Sequence, residues 1–216
     1  SAAKAAANPT TPAAAAKTQA SWMKRWPRRR VCWDENSIIQ TKLEPSFKRC
    51  LSRGEQSVHA FLRKNPFLVS VAVGGMGHNY SHSSPDFRLG DDYVCDFINL
   101  SCMSGWWFVV LIELKSPTSP LYLKSGTESK PLRTAKRQIT DWRLWVERDP
   151  KRFREAVGKL ATKIDAPPAW GNKHKNAEAE ILDTRLEFNY DFQIVIGRRE
   201  KLSLVDQQNR LADFPQ

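Results

Sequence analysis

The chain has 216 residues and carries 34 Lys+Arg against 23 Asp+Glu, a formal net charge of +11, with 41% hydrophobic and 26% charged residues. This is enough apolar side chain for one ordinary core and argues against a membrane protein, since no apolar stretch approaches the roughly 18 residues a spanning helix needs. The positive excess points to a polyanionic partner, and four cysteines without a Cys-x-x-Cys pair, Cys32, Cys50, Cys95 and Cys102, leave neither a zinc ribbon nor a disulfide framework and suit a reduced, cytoplasmic setting.

Residues 1–20 are mostly Ala with Pro and Thr, and hold no aromatic residue and no acid. Such a composition cannot support a packed core. With the basic, Trp-bearing run Ser21–Arg30 it is expected to form a linker or tail, and 31–216 the folded domain. Residues 1–30 contain seven Lys/Arg and no Asp/Glu, so 31–216 has a net charge of only +4. An upstream domain joined through this linker is a better reading than a transit peptide, because two prolines interrupt any amphipathic helix.

From Ser52 the pattern becomes regular. Glu55, Val58 and Leu62 recur at helical spacing until Asn65-Pro66 stops the repeat, which predicts a short amphipathic helix. Gly74-Gly-Met-Gly77 and the His/Ser stretch to Pro85 read as loop. His78 and His82 have a His-x3-His spacing there, but with no cysteine pair nearby zinc is not expected. Tyr93–Leu100 and Trp107–Leu114 are β-branched and aromatic runs about a Ser104-Gly105 turn signal and predict a hairpin. A second helix is expected over about 132–147, with Ile139, Trp142 and Val146 on one face, and a late strand over 188–196 ending at Gly197. Together these describe a mixed α/β domain.

The run Val109-Val-Leu-Ile-Glu113-Leu-Lys115 is apolar and ends in a carboxylate and an ammonium on one face of a strand. If Ser104-Gly105 is a two-residue loop, paired numbers sum to 209 and Asp96 falls opposite Glu113. Two carboxylates and a lysine at the end of an apolar ladder are unfavourable without compensation, and a divalent cation with oxygen preference, such as Mg²⁺, would offset the cost. The chemistry this arrangement suits is metal-assisted phosphodiester hydrolysis. A rim ion pair with no metal is the plain alternative. A glycosidase pair is another, against which stand the lysine on the same face and the basic chain.

Asp96 followed by Glu113-Leu-Lys115 resembles the signature of the PD-(D/E)XK nucleases, and the surrounding blocks resemble the Shedu anti-phage defence proteins. These blocks are Gly54-Glu-Gln-Ser-Val-His-Ala-Phe-Leu-Arg-Lys-Asn-Pro66, Phe87-Arg-Leu-Gly90, Ile112-Glu-Leu-Lys-Ser-Pro117, Ala135-Lys-Arg-Gln-Ile-Thr-Asp-Trp-Arg143 and Val195-Ile-Gly-Arg-Arg199. The resemblance implies a restriction-endonuclease-like core, a mixed β-sheet flanked by α-helices, and Mg²⁺-dependent DNA cleavage, with Mn²⁺ as substitute. It implies that Asp96 and Glu113 hold the metal with the Leu114 carbonyl, and that Lys115 orients the attacking water. Glu55 would face the metal site from the first helix, and Gln138 would position substrate or Lys115. It further implies a homo-oligomer and a variable N-terminal sensor or regulatory region. Pro85-Asp86 offers a literal Pro-Asp, but the register favours Asp96.

Two of these residues have ordinary readings as well. Glu55 follows Ser52 by three and could complete a capping box; Gln138 could be an exposed helix residue. Pro131–Arg154 holds eight Lys/Arg and three Asp/Glu, so Arg133, Lys136, Arg137 and Arg143, with Arg198 and Arg199 after the late strand, are candidates for DNA phosphate contact or members of a solvated face. The alternatives to a defence nuclease are a catalytically silent nucleic-acid-binding or assembly domain and a repair or recombination nuclease.

Overall fold

A computed structural model describes residues 43–73, 80–103, 105–169 and 176–197. The chain divides into two units, Ser1–Leu43 and Glu44–Gln216, and nearly all described residues belong to the second. The expected tail, His78, Arg198 and Arg199 lie outside the described residues.

Among the described residues three helices come first: α1 (Glu44–Arg53), α2 (Glu55–Lys64) and α3 (Phe67–Val73). The capping box is overturned, because Ser52 belongs to α1 and its Oγ donates to the Arg49 carbonyl, while α2 is capped by Gly54 at φ 95° with no side-chain bond. α2 stops at Asn65, whose Nδ2 donates to the Phe61 carbonyl at 2.9 Å; Pro66 follows, and a proline cannot continue the helix.

Among the described residues the sheet has four strands in the order β1-β2-β3-β4: β1 (Tyr80–Leu89), β2 (Tyr93–Met103), β3 (Trp106–Leu114) and β4 (Phe188–Val195). β1, β2 and β3 form an antiparallel meander, and β4 joins β3 in parallel. The hairpin register is the one a two-residue loop demands, from Met103↔Trp106 to Phe97↔Ile112. The loop expected up to Pro85 is corrected: from Tyr80 it is strand. Its polar residues misled because they are satisfied internally, Asn99 Nδ2 donating to Ser81 and Ser83 and Ser83 lying 3.0 Å from Ser70. Pro85 is tolerated because β1 is a sheet edge among the described residues, where a missing N–H breaks no ladder.

Between β3 and β4 run α4 (Lys130–Arg148), α5 (Pro150–Lys163) and α6 (Ala177–Leu182). Ser129 caps α4 by accepting from Leu132 N–H, and Asp149 ends α4 and caps α5 by accepting from Arg152 N–H. α5 was not expected, although Phe153, Val157 and Ala161 repeat every four residues and all are buried. Burial gives the layers. Ile98, Leu100, Trp107, Val109 and Leu111 pack with Trp142, Val146, Phe153 and Val157 on one face of the sheet. Phe97, Ile112 and Leu114 pack with Val58, Leu62 and Val69 on the other. The protein is thus an α/β domain with a mixed sheet between two helical layers.

Candidate active site

The site lies where β2 and β3 stop pairing. Backbone pairing ends at Phe97↔Ile112, yet β2 reaches back to Tyr93 and β3 forward to Leu114. At this point β2 also loses its alternation. Cys95 packs into the α4/α5 core and Phe97 into the opposite core, although residues two apart in a regular strand share a face. Across from it on β1, between the pairs Pro85↔Phe97 and Phe87↔Cys95, Asp86 has φ 54°. Both strands therefore change face together, and the Asp96 side chain runs towards β3, where its Oδ2 accepts the Leu114 N–H at 2.7 Å. A side chain has replaced the ladder partner that Leu114 would otherwise lack.

Glu113 shares its face with Leu111 and is 3% exposed. Burial pushes its carboxyl up to about 7; the nearby charges of Asp96 and Glu55 add to this, and the hydrogen bond and charge of Lys115 oppose it. Lys115 Nζ donates directly to Glu113 Oε1, and the Lys115 backbone N–H donates to the Val195 carbonyl at 2.8 Å, tying the end of β3 to β4. Burial, with the charges of Glu113 and Asp96 added, pushes the Cys95 thiol far above its usual value.

Glu55 is half-buried and, with Gln56, His59 and Arg63, lines a cleft of about 440 Å³. His59 Nδ1 stands 3.6 Å from Asp96 Oδ1, which joins this cleft to the carboxylate. The motif did not include His59, though its place four residues after Glu55 puts both on one helix face. Asp86, the other candidate for the motif's aspartate, is exposed and bound by Arg63 at 2.6 Å.

Gln138 lies on α4 with its Oε1 buried and without a hydrogen-bond partner. The basic candidates of α4 are spread out. Arg133 donates to the Glu128 carbonyl and Lys136 pairs with the Glu128 carboxylate; Arg137 is exposed; Arg143 lies over the Phe192 ring at 5.5 Å. Arg133 and Arg143 are separated by about 15 Å of helix.

Among the described residues no three His, Cys, Asp or Glu side chains gather as a metal-ligand set. The Asp96 and Glu113 carboxylates and the Leu114 carbonyl, the groups expected to hold an ion, are two side chains and one backbone group. All three are oxygen donors, as a hard divalent cation requires; the Glu113 carboxyl is raised first by burial, with the charge of Asp96 adding to it.

A mixed sheet whose paired strands part beside two carboxylates and a lysine marks the candidate site on an α/β scaffold. Residues 52–214 match the family described as Shedu protein SduA, C-terminal, and the chain belongs to that family. Membership implies a role in anti-phage defence. Comparison with curated proteins and with solved structures found no match.

Proposed function

We propose that the domain is a Mg²⁺-dependent nuclease of the PD-(D/E)XK type that hydrolyses DNA phosphodiester bonds in anti-phage defence. The observation that carries this reading is the buried Glu113 carboxylate, raised by burial and by Asp96 and bonded to Lys115, at the point where β2 and β3 separate. Asp96, Glu113 and the Leu114 carbonyl would hold the ion. When bound, it supplies Lewis-acid polarisation of a phosphoryl oxygen and neutralises charge that develops there.

The remaining work falls to side chains of this chain. Lys115, held on Glu113, would orient the attacking water and offset charge on the phosphate. Glu55, whose charge acts on Glu113, would face the same site from α2. Gln138 would accept a hydrogen bond from substrate or from Lys115 with its unpartnered Oε1. Arg133, Lys136, Arg137 and Arg143 would contact phosphates along α4, with a salt-dependent affinity. A homo-oligomer, a regulatory N-terminal region and a cytoplasmic setting belong to the same proposal.

The test is cleavage of linear, nicked and circular DNA with Mg²⁺, comparing wild type with Lys115→Ala. Loss of cleavage with DNA binding and fold retained is expected; undiminished cleavage would refute the assignment. The second reading, a nucleic-acid-binding module without catalysis, is favoured by the absence of three gathered metal-ligating side chains among the described residues. It wins if titration calorimetry of the wild type shows no uptake of Mg²⁺ or Mn²⁺.

A further inference from the structure

We infer that His59 is a positioning residue for Asp96, holding the carboxylate oxygen that the backbone does not hold. The inference rests on the metal-dependent reading above. Asp96 has two oxygens with different neighbours: Oδ2 takes the Leu114 N–H at 2.7 Å, and Oδ1 faces His59 Nδ1 at 3.6 Å. With only the first contact, the carboxylate is free to swing about the bond to its Cβ. The imidazole on the other side limits that swing and so sets the direction in which the remaining lone pairs point. A contact slightly longer than a hydrogen bond is common where geometry tightens only in the loaded site.

Three features separate this role from simple packing. The first is location: α2 carries Glu55, His59 and Arg63 at four-residue intervals, and all three line the same cleft. Val58 and Leu62, on the neighbouring face, already supply the apolar contact with the sheet. The second is burial, since the His59 and Asp96 side chains are only 14% and 22% exposed, so the contact is little screened by water. The third is the far nitrogen, Nε2, which is buried and has no hydrogen-bond partner. A residue selected for filling space would not bring an unmatched polar atom into the interior. In the arrangement inferred, Nδ1 is the ring atom that serves Asp96.

Partners that orient a metal-ligating group typically change metal affinity by about 10–100-fold when removed. The amides of Asn and Gln separate the two ring nitrogens, because Asn places its NH₂ near the position of Nδ1 and Gln near that of Nε2. The experiment is a Mn²⁺ titration of the full chain, followed by calorimetry or by the electron paramagnetic resonance of free Mn²⁺. Wild type, His59→Ala, His59→Asn and His59→Gln are compared, with melting temperatures measured in chelator. Weakening by about 10–100-fold is expected in His59→Ala, with recovery in His59→Asn, no recovery in His59→Gln, and equal melting of the two amide variants. Wild-type Mn²⁺ affinity in His59→Ala, or equal affinity of the Asn and Gln variants, overturns the inference. Should His59→Ala fail to fold, the Asn/Gln comparison decides alone. Absence of Mn²⁺ uptake by wild type overturns the metal-dependent reading itself, an outcome distinct from failure at His59.

Discussion

The Leu114 backbone N–H donates to Asp96 Oδ2 at 2.7 Å, across the step where the β2–β3 ladder has already ended. One carboxylate thus serves as a strand partner and as a candidate ligand. The two duties separate by substitution. Asp96→Asn keeps a carbonyl acceptor for Leu114 and is expected to cost under about 1 kcal/mol, whereas Asp96→Ala leaves a buried N–H unmatched at about 1–3 kcal/mol. Both variants should lose cleavage and Mn²⁺ binding. Urea unfolding in chelator reads the first effect, and equal stability of the two variants would show that the contact has no structural value.

Glu113 gives a stability that depends on pH. Its carboxyl is raised from an ordinary 4.5 to about 7, first by burial, so the folded state binds its proton more tightly than the unfolded chain does. The stabilisation from that proton is fully present below pH 4.5 and is lost as pH rises to about 7. Its size is at most roughly 3 kcal/mol. In chelator, wild type should lose stability across this window and Glu113→Gln should lack that part of the slope, being the more stable protein at pH 8 and inactive. Parallel pH profiles for the two proteins would contradict the assignment.

Lys115 opposes the same shift through its bond to Glu113. Removing it alone leaves a buried carboxylate with its partner gone, a change that typically costs about 3–5 kcal/mol. Lys115→Met should therefore be markedly less stable than wild type at pH 8, and Glu113→Gln/Lys115→Met should recover most of the loss. A double-mutant cycle measures the coupling. Additive effects would mean that the two side chains act independently.

Gln138 presents an Oε1 with nothing bound to it. Gln138→Leu consequently breaks no hydrogen bond at that atom, and stability should stay within about 0.5 kcal/mol of wild type or rise. If Gln138 contacts substrate or Lys115, cleavage should nevertheless fall at least about tenfold, equivalent to about 1.4 kcal/mol in the barrier. Steady-state kinetics beside thermal unfolding checks this; unchanged kcat and KM would return Gln138 to an ordinary helix position.

Much of the fold was legible without coordinates, because the relevant signals are local. A two-residue loop at Ser104-Gly105 leaves one register for the hairpin, and the spacing of Val58 and Leu62, then of Ile139, Trp142 and Val146, marks the inward faces of α2 and α4. The strand at Phe188–Val195 was equally apparent from its aromatic and β-branched residues. Other features depended on segments far apart in the chain. Tyr80–Leu89 is a strand because Asn99 and Ser70 satisfy its serines, which no reading of its Ser, His and Pro content would show. α5 had a visible repeat, but Asp149-Pro150 reads as an end as readily as a beginning until Asp149 is seen accepting from Arg152.

The same division holds for the site. The sequence by itself determined the +11 charge, the order of the motif blocks and the strand spacing of Glu113 and Lys115, since these follow from covalent order and side-chain alternation. Tertiary structure decided which aspartate reaches the end of β3. Asp86 lies between the β1 residues that pair with Phe97 and Cys95, but it is exposed and held by Arg63 while Asp96 turns towards Leu114. It also brought His59 to Asp96 and raised the Glu113 carboxyl. Both effects arise from burial and through-space charge, which depend on what the folded chain packs together and not on what lies adjacent along it.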